Sequence, residues 1–225
     1  MYTQEGIRFL KEESCVFLFC AHKQSRKADS EGENMDLPAF FKENSKAAIA
    51  FSGGTDSAYL LCAAKAAGAD VRAYYVKSAF QPQFELEDGK RLCAKLDVEC
   101  KILTVDVLAD KAVRENPADR CYHCKKLIFT AIAKAAAADG YELLLDGTNA
   151  SDEEGDRPGM RALRELSVRS PLRECGLTKE EIRRRSREAG LFTWDKPAYA
   201  CLATRIPTGE EITEEKLEST EAAED

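Results

Sequence analysis

No apolar run in this chain approaches the roughly 20 residues that a membrane span requires, so no transmembrane segment is expected. The most apolar early stretch, Cys15–Ala21, is too short and follows Glu12 and Glu13, which makes it a poor signal peptide. A basic excess is missing too. Lysine and arginine total 33 against 40 aspartates and glutamates, a net charge of −7. That balance argues against broad nucleic-acid binding and leaves local arginine clusters as the anion sites. Nine cysteines without a secretory signal form an odd count. They point to thiols, metal ligands or catalysis in a cytoplasmic protein, not to a disulfide framework. The Gly-Lys-Ser/Thr ending of a Walker A loop is also absent.

What the chain does have is Ala47–Ser57, AAIAFSGGTDS. A short apolar run meets two glycines, small polar residues and then a helical pattern. That is the outline of a strand, a tight turn and a helix N-terminus, where backbone N–H groups and the helix dipole favour an anion. Gly53 and Gly54 allow close approach to a phosphate. Ser52, Thr55 and Ser57 add hydroxyls, and Asp56 points to a bound cation such as Mg²⁺. The stretch resembles the PP-loop, SGGxDS, of the ATP pyrophosphatases, which implies cleavage of ATP between the α and β phosphates.

The 225 residues suit one α/β domain, or one domain plus a small appendage. Gln24–Asp36 is polar and turn-rich, and Asp36–Lys46 reads as a short amphipathic helix with Leu37, Phe40 and Phe41 inward. After the glycine turn, Ser57–Ala67 predicts a helix ended by Gly68, Val71–Val76 a strand and Phe84–Leu96 a helix. Cys100–Val105 predicts a strand, Cys121–Ala138 a long helix stopped by Gly140, and Leu143–Leu145 a buried strand. Thr178–Gly190 reads as a structural helix capped by Thr178. This alternation predicts an α/β fold: a three-layer parallel sheet with helices on both faces. Ligands of such sheets lie at the carboxyl ends of the strands. Ser52–Ser57, the Lys77–Pro82 loop with Ser78, and the Asp146–Asp152 loop with Gly147 and Thr148 then share one rim, expected to hold ATP.

Three more stretches carry chemistry. In Asp146–Pro158, Thr148 and Asn149 offer neutral hydrogen bonds, and Asp152 is a candidate Mg²⁺ ligand beside a triphosphate. Glu153 and Glu154 read as solvated. In Arg120–Lys125, RCYHCK, Cys121 and Cys124 start a helix; they suit a redox pair, metal ligation or plain packing. Cys201, in PAYACLATRIPTG, supplies a third thiol, and three cysteines can hold an iron–sulfur cluster with one iron open. His123 is expected to face solvent, and Cys15, Cys20, Cys62, Cys93, Cys100 and Cys175 to pack as small hydrophobes. Arg169, Ser170 and Arg205 are candidates for holding an anionic substrate group.

SGGTDS, RCYHCK, DGTNASDEEGDRPGMRALRELSVRSPL and WDKPAYACLATRIPTG occur in this order, and the chain from about Lys46 to Gly209 resembles the LarE family. The resemblance implies an ATP-dependent sulfur transferase that adenylates pyridinium-3,5-biscarboxylic acid mononucleotide and forms its thiocarboxylate for a nickel-pincer nucleotide cofactor. It implies ATP, Mg²⁺ at Asp56 and Asp152, and one of two sulfur sources. Either Cys201 surrenders its own sulfur, or Cys121, Cys124 and Cys201 hold a 4Fe–4S cluster; the presence of all three favours the cluster. The expected partners are a small nucleotide substrate and a sulfide donor, with no nucleic acid and no membrane, in a homo-oligomer if the family's C-terminal part is present. The alternatives are an amide-forming PP-loop ligase and a nucleotide-binding module without catalysis. The expected division is 1–35, an extension; 36–200, the PP-loop domain; and 201–225, the start of a C-terminal segment that is truncated relative to the family.

Overall fold

Four short strands run parallel in the order β3–β2–β1–β4: β1 Lys46–Ala50, β2 Asp70–Lys77, β3 Cys100–Thr104 and β4 Leu144–Leu145. The computed structural model describes residues 36–152 and 158–224. The expected extension 1–35 with Cys15 and Cys20, and Glu153, Glu154, Asp156 and Arg157 of the acidic loop, lie outside them.

The strands sort their side chains by alternation, as a two-residue repeat must. Ala47, Ile49, Ala73, Tyr75 and Leu145 face one layer. There they meet α1 (Leu37–Glu43), α2 (Thr55–Ala66), α3 (Gln83–Lys95), α7 (Pro171–Glu174) and α8 (Lys179–Glu188). Ala48, Tyr74, Val76 and Leu144 face the other layer, built by α5 (Arg120–Ala138) and α6 (Pro158–Glu165). Helices therefore cover both faces of the parallel sheet. The helix expected over Asp36–Lys46 is α1, capped by Asp36, with Leu37, Phe40 and Phe41 buried.

A third, smaller cluster closes the carboxyl ends of β2 and β3. Phe80, Val107 and Val113 pack there against Leu202, Ala203, Ile206, Ile212 and Leu217. Val113 belongs to α4 (Lys111–Arg114), Leu202 and Ala203 to a 3₁₀ turn (Leu202–Arg205), and Leu217 to α9 (Glu214–Glu224). Cys124 and Cys201 both pack against this cluster. The turn around Cys201 is thus seated on the rim by apolar burial, although its sequence reads as loop.

Strand order reverses beside β1: the chain passes from β1 to β2 and β3, then returns to β4 on β1's other edge. Ligands of open α/β sheets bind at such a switch point. The turns leaving β1 and β4 are the glycine turn and the Asp146–Asp152 loop. Among the described residues no helix is long and apolar enough to cross a membrane.

Candidate active site

The glycine turn is built by its own hydroxyls. Ser57 Oγ accepts from Ser52 N at 3.3 Å and lies 3.1 Å from Ser52 Oγ. Gly53 has a φ of 79°, and a Cβ there would lie 3.0 Å from the Glu85 carbonyl oxygen. Only glycine satisfies both conditions at once. Gly54 is the N-cap of α2 and makes no side-chain cap, so the first amides of the helix face the turn. Thr55 is buried and donates its hydroxyl to Thr193 O at 2.8 Å, which fastens the turn to the segment after α8.

Asp56 meets Lys179: Nζ to Oδ2 is 2.7 Å. Asp56 Oδ1 is buried and, among the described residues, has no hydrogen-bond partner. Burial pushes the Asp56 carboxyl above its ordinary range, and the Lys179 ammonium opposes that rise. The charge of Asp152 reaches Asp56 and adds to the rise, so the two carboxylates share one field. Asp152 Oδ2 accepts from Asn149 N at 2.9 Å, which folds the acidic loop back on itself.

Gly147 packs directly on α2: a Cβ there would lie 2.9 Å from Ser57 N. This contact joins the turns after β1 and β4. Thr148 and Ser170 both donate to the buried Asp146 carboxylate, Ser170 Oγ at 2.6 Å. Ser78 donates to Gln81 Oε1 at 2.7 Å inside its own turn. Arg169 is held by Glu174, with Nη2 to Oε2 at 2.5 Å, by Asn44 at 3.2 Å and over the Phe40 ring at 4.5 Å. Arg205 makes a forked pair with Glu224 at 2.7 and 3.1 Å, and lies 4.7 Å over the Tyr199 ring.

The third group is the thiols. Cys121 is exposed, while Cys124 and Cys201 are half-buried. Burial pushes Cys124 up to about 12, and the charges of Cys201 and Cys121 add to that. Burial raises Cys201 as well, again with a contribution from Cys121. Cys124 and Cys201 pack against the same apolar cluster, and Cys121 lies one turn before Cys124 on α5. Among the described residues no three His, Cys, Asp or Glu side chains close on a point as a single metal ion requires. His123 pairs with Asp119 at 3.4 Å and packs edge-on against Tyr122. Cys62 and Cys93 are buried and Cys100 and Cys175 half-buried.

Two site residues escape a reading by sequence alone. Lys179 opens α8 and Arg120 opens α5. Cations at helix N-termini oppose the dipole, which is a signal that something else holds them. Lys179 is held by Asp56. Arg120 is held by Asn116 and Ala203 beside Cys121.

A pyridinium-3,5-bisthiocarboxylic acid mononucleotide synthase of Lactiplantibacillus plantarum is 32% identical over 190 residues, covering 84% of this chain and 69% of that protein. The chain belongs to the LarE family. An uncharacterised protein of Synechocystis is 37% identical over 86% of this chain and 73% of its own length. Another, from Methanocaldococcus jannaschii, is 30% identical over 81% and 69%. The family described as queuosine biosynthesis protein QueC matches residues 46–119, from β1 to the residue before α5. Two solved structures share the fold of this LarE chain. An NH3-dependent NAD synthetase from Campylobacter jejuni has a TM-score of 0.58 at 21% identity, covering 73% of this chain and 76% of its own. An NMN synthetase from Francisella tularensis has a TM-score of 0.57 at 15% identity, covering 72% of each. The chain is thus a PP-loop protein of the ATP pyrophosphatase type.

Proposed function

We propose that this LarE-family chain is a cytoplasmic ATP-dependent sulfur transferase acting on pyridinium-3,5-biscarboxylic acid mononucleotide, in the making of a nickel-pincer nucleotide cofactor. A substrate carboxylate oxygen attacks the ATP α-phosphorus, pyrophosphate leaves, and the acyl adenylate forms. A sulfur nucleophile then attacks the acyl carbon and AMP leaves, giving the thiocarboxylate. The observation that supports this reading is the packing of Cys124 and Cys201 against one apolar cluster at the carboxyl ends of β2 and β3, with Cys121 at the start of the helix that carries Cys124.

In this reading Ser52, Gly53, Gly54, Thr55 and Ser57 hold the phosphates through backbone amides and hydroxyls. Ser78, Gly147 and Thr148 line the remainder of the ATP site. Asp56 and Asp152 would hold Mg²⁺, and the buried Oδ1 of Asp56, unpartnered among the described residues, supports that assignment. With Mg²⁺ on Asp56, Lys179 would be free to meet the phosphates. Arg205 takes an anionic group of the substrate and must release Glu224 to do so; Arg169 and Ser170 are assigned the same class of contact.

Cys121, Cys124 and Cys201 are the thiols that would hold a 4Fe–4S cluster. Such a cluster with one open iron supplies a transferable sulfide. The residues of the chain hold its thiolates, keep Cys201 against α5 and bring the adenylated carboxylate to the same rim.

Iron and acid-labile sulfide content, measured with an absorption spectrum on protein purified without oxygen, test the reading. About four irons per chain, lost in Cys121→Ala, are expected. No iron after reconstitution overturns the cluster and leaves Cys201 as the sulfur itself. Mass spectrometry after reaction then has to find that cysteine without its sulfur. Thiocarboxylate formation by Cys201→Ala overturns both routes.

A further inference from the structure

Arg120 is 7% exposed, the first residue of α5, and a cation with neutral partners. Nη1 donates to Asn116 Oδ1 at 2.9 Å and to Ala203 O at 2.6 Å. Nη2 lies 3.8 Å from Cys121 Sγ, and the guanidinium carbon 6.0 Å from the Phe80 ring centre. Among the described residues no carboxylate pairs with it. A buried charge without a counter-ion is expensive, and the positive end of the helix dipole adds to the expense.

The hydrogen bonds show what Arg120 organises. Ala203 belongs to the turn that follows Cys201, so the guanidinium pulls this turn onto the start of α5. Asn116 reinforces it, donating to Ile206 O at 3.2 Å and to Pro207 O at 2.8 Å. Asn116 takes a φ of 53°, a left-handed conformation that asparagine tolerates better than most residues. Gly209 N returns a bond to Asn116 O at 2.8 Å. Between them, Asn116 and Arg120 bond Ala203, Ile206, Pro207 and Gly209. The segment that carries Cys201 is thereby fixed against the helix that carries Cys121 and Cys124.

The groups around Arg120 that can become anionic are the thiols. The nearest is Cys121 Sγ, 3.8 Å from Nη2, and Cys201 stands two residues before Ala203, whose carbonyl Nη1 holds. We propose that Arg120 is the counter-cation and positioning residue of the sulfur site, fixing Cys201 beside Cys121 and Cys124 and offsetting the negative charge of the group that the three hold. This role rests on the cluster reading above.

A structural role alone predicts loss of folding or of iron. A counter-cation also sets how readily the site accepts an electron, because cluster potentials respond to nearby charge. The test is anaerobic reconstitution with ferrous iron and sulfide, then redox titration of the folded, iron-loaded protein. Arg120→Gln is expected to keep its iron but reduce at least tenfold less favourably, a fall of about 59 mV for one electron. Arg120→Lys, which keeps the charge, is expected to return within twofold of the unsubstituted chain. If Arg120→Gln does not fold, Asn116→Asp sets a carboxylate against the intact guanidinium, and the same downward shift is expected. An iron-loaded Arg120→Gln or Asn116→Asp protein that titrates like the unsubstituted chain overturns the role of Arg120 and leaves the cluster reading standing. Arg120→Lys that behaves like Arg120→Gln overturns it too. An unsubstituted chain that takes up no iron overturns the cluster reading and this proposal together.

Discussion

Lys179 joins the two acidic elements of the nucleotide rim: its Nζ lies 2.7 Å from Asp56 Oδ2, and its backbone N donates to Ser151 Oγ at 2.9 Å. One residue at the start of α8 thus touches the helix after the glycine turn and the loop after β4. A hydrogen bond to a charged group contributes about 1.5–3 kcal/mol, so Lys179→Ala should weaken MgATP binding roughly tenfold or more. Calorimetric titration with MgATP checks this. Unchanged affinity would confine Lys179 to holding Asp56.

Gly147 allows the Asp146–Asp152 loop to rest on α2. A Cβ there would lie 2.9 Å from Ser57 N and 3.1 Å from Ser57 Cα, both backbone atoms that cannot turn aside. Gly147→Ala should therefore lower stability by about 1–3 kcal/mol, as overpacking does, and weaken nucleotide binding in the folded fraction. Denaturant melts and ATP titration report the two effects separately.

Glu224 holds Arg205 through bonds of 2.7 and 3.1 Å, and it accepts from Tyr199 as well. On the proposed assignment of Arg205, a substrate anion displaces it. Exposed pairs contribute little, so Glu224→Ala should tighten binding of the pyridinium mononucleotide by no more than about fivefold. Arg205→Ala should weaken it. Equal affinity in all three proteins would remove Arg205 from the substrate site.

Asp139, after α5, ties β2 to β3: it accepts from Lys101 at 2.8 and 3.0 Å, from Tyr74 at 2.8 Å, and pairs with Arg72 at 3.0 Å. Led by the Lys101 bond, these partners lower its pKa from 3.8 to about 2. A depressed carboxylate stabilises the fold above its unfolded value, and that share is lost as pH falls from about 4 through about 2. Asp139→Asn should flatten the fall of the melting temperature across that window and lower it near neutral pH. Thermal melts at several pH values check both.

Much of the architecture was legible because it rests on local physics. The alternation of apolar strands and helices located β1 to β4 within a residue or two, since apolar periodicity and glycine stops act over a few neighbours. Gly68, Gly140 and Gly190 end their helices at φ of 75°, 81° and 66°. Thr178 caps α8 as its spacing to Glu181 foretold: Glu181 N donates to Thr178 Oγ1 at 3.3 Å. The short helices α4 and α7 were not legible, because four residues carry no periodicity.

Pairing across the chain was hidden. SGGTDS and the cysteine motifs name the groups of the site, and their chemistry follows from residue type. No local rule says that Lys179, in what reads as a structural helix, faces Asp56 across 123 positions. None says that Arg120 bonds Ala203, or that Arg205 is already occupied by Glu224. The sequence alone determined the order of elements, the glycine turn and the supply of thiols and carboxylates, because these are properties of neighbours. Tertiary structure alone decided which cation meets which anion. That choice depends on the strand order, which reverses beside β1, and on the burial that leaves charges such as Arg120 in need of a partner.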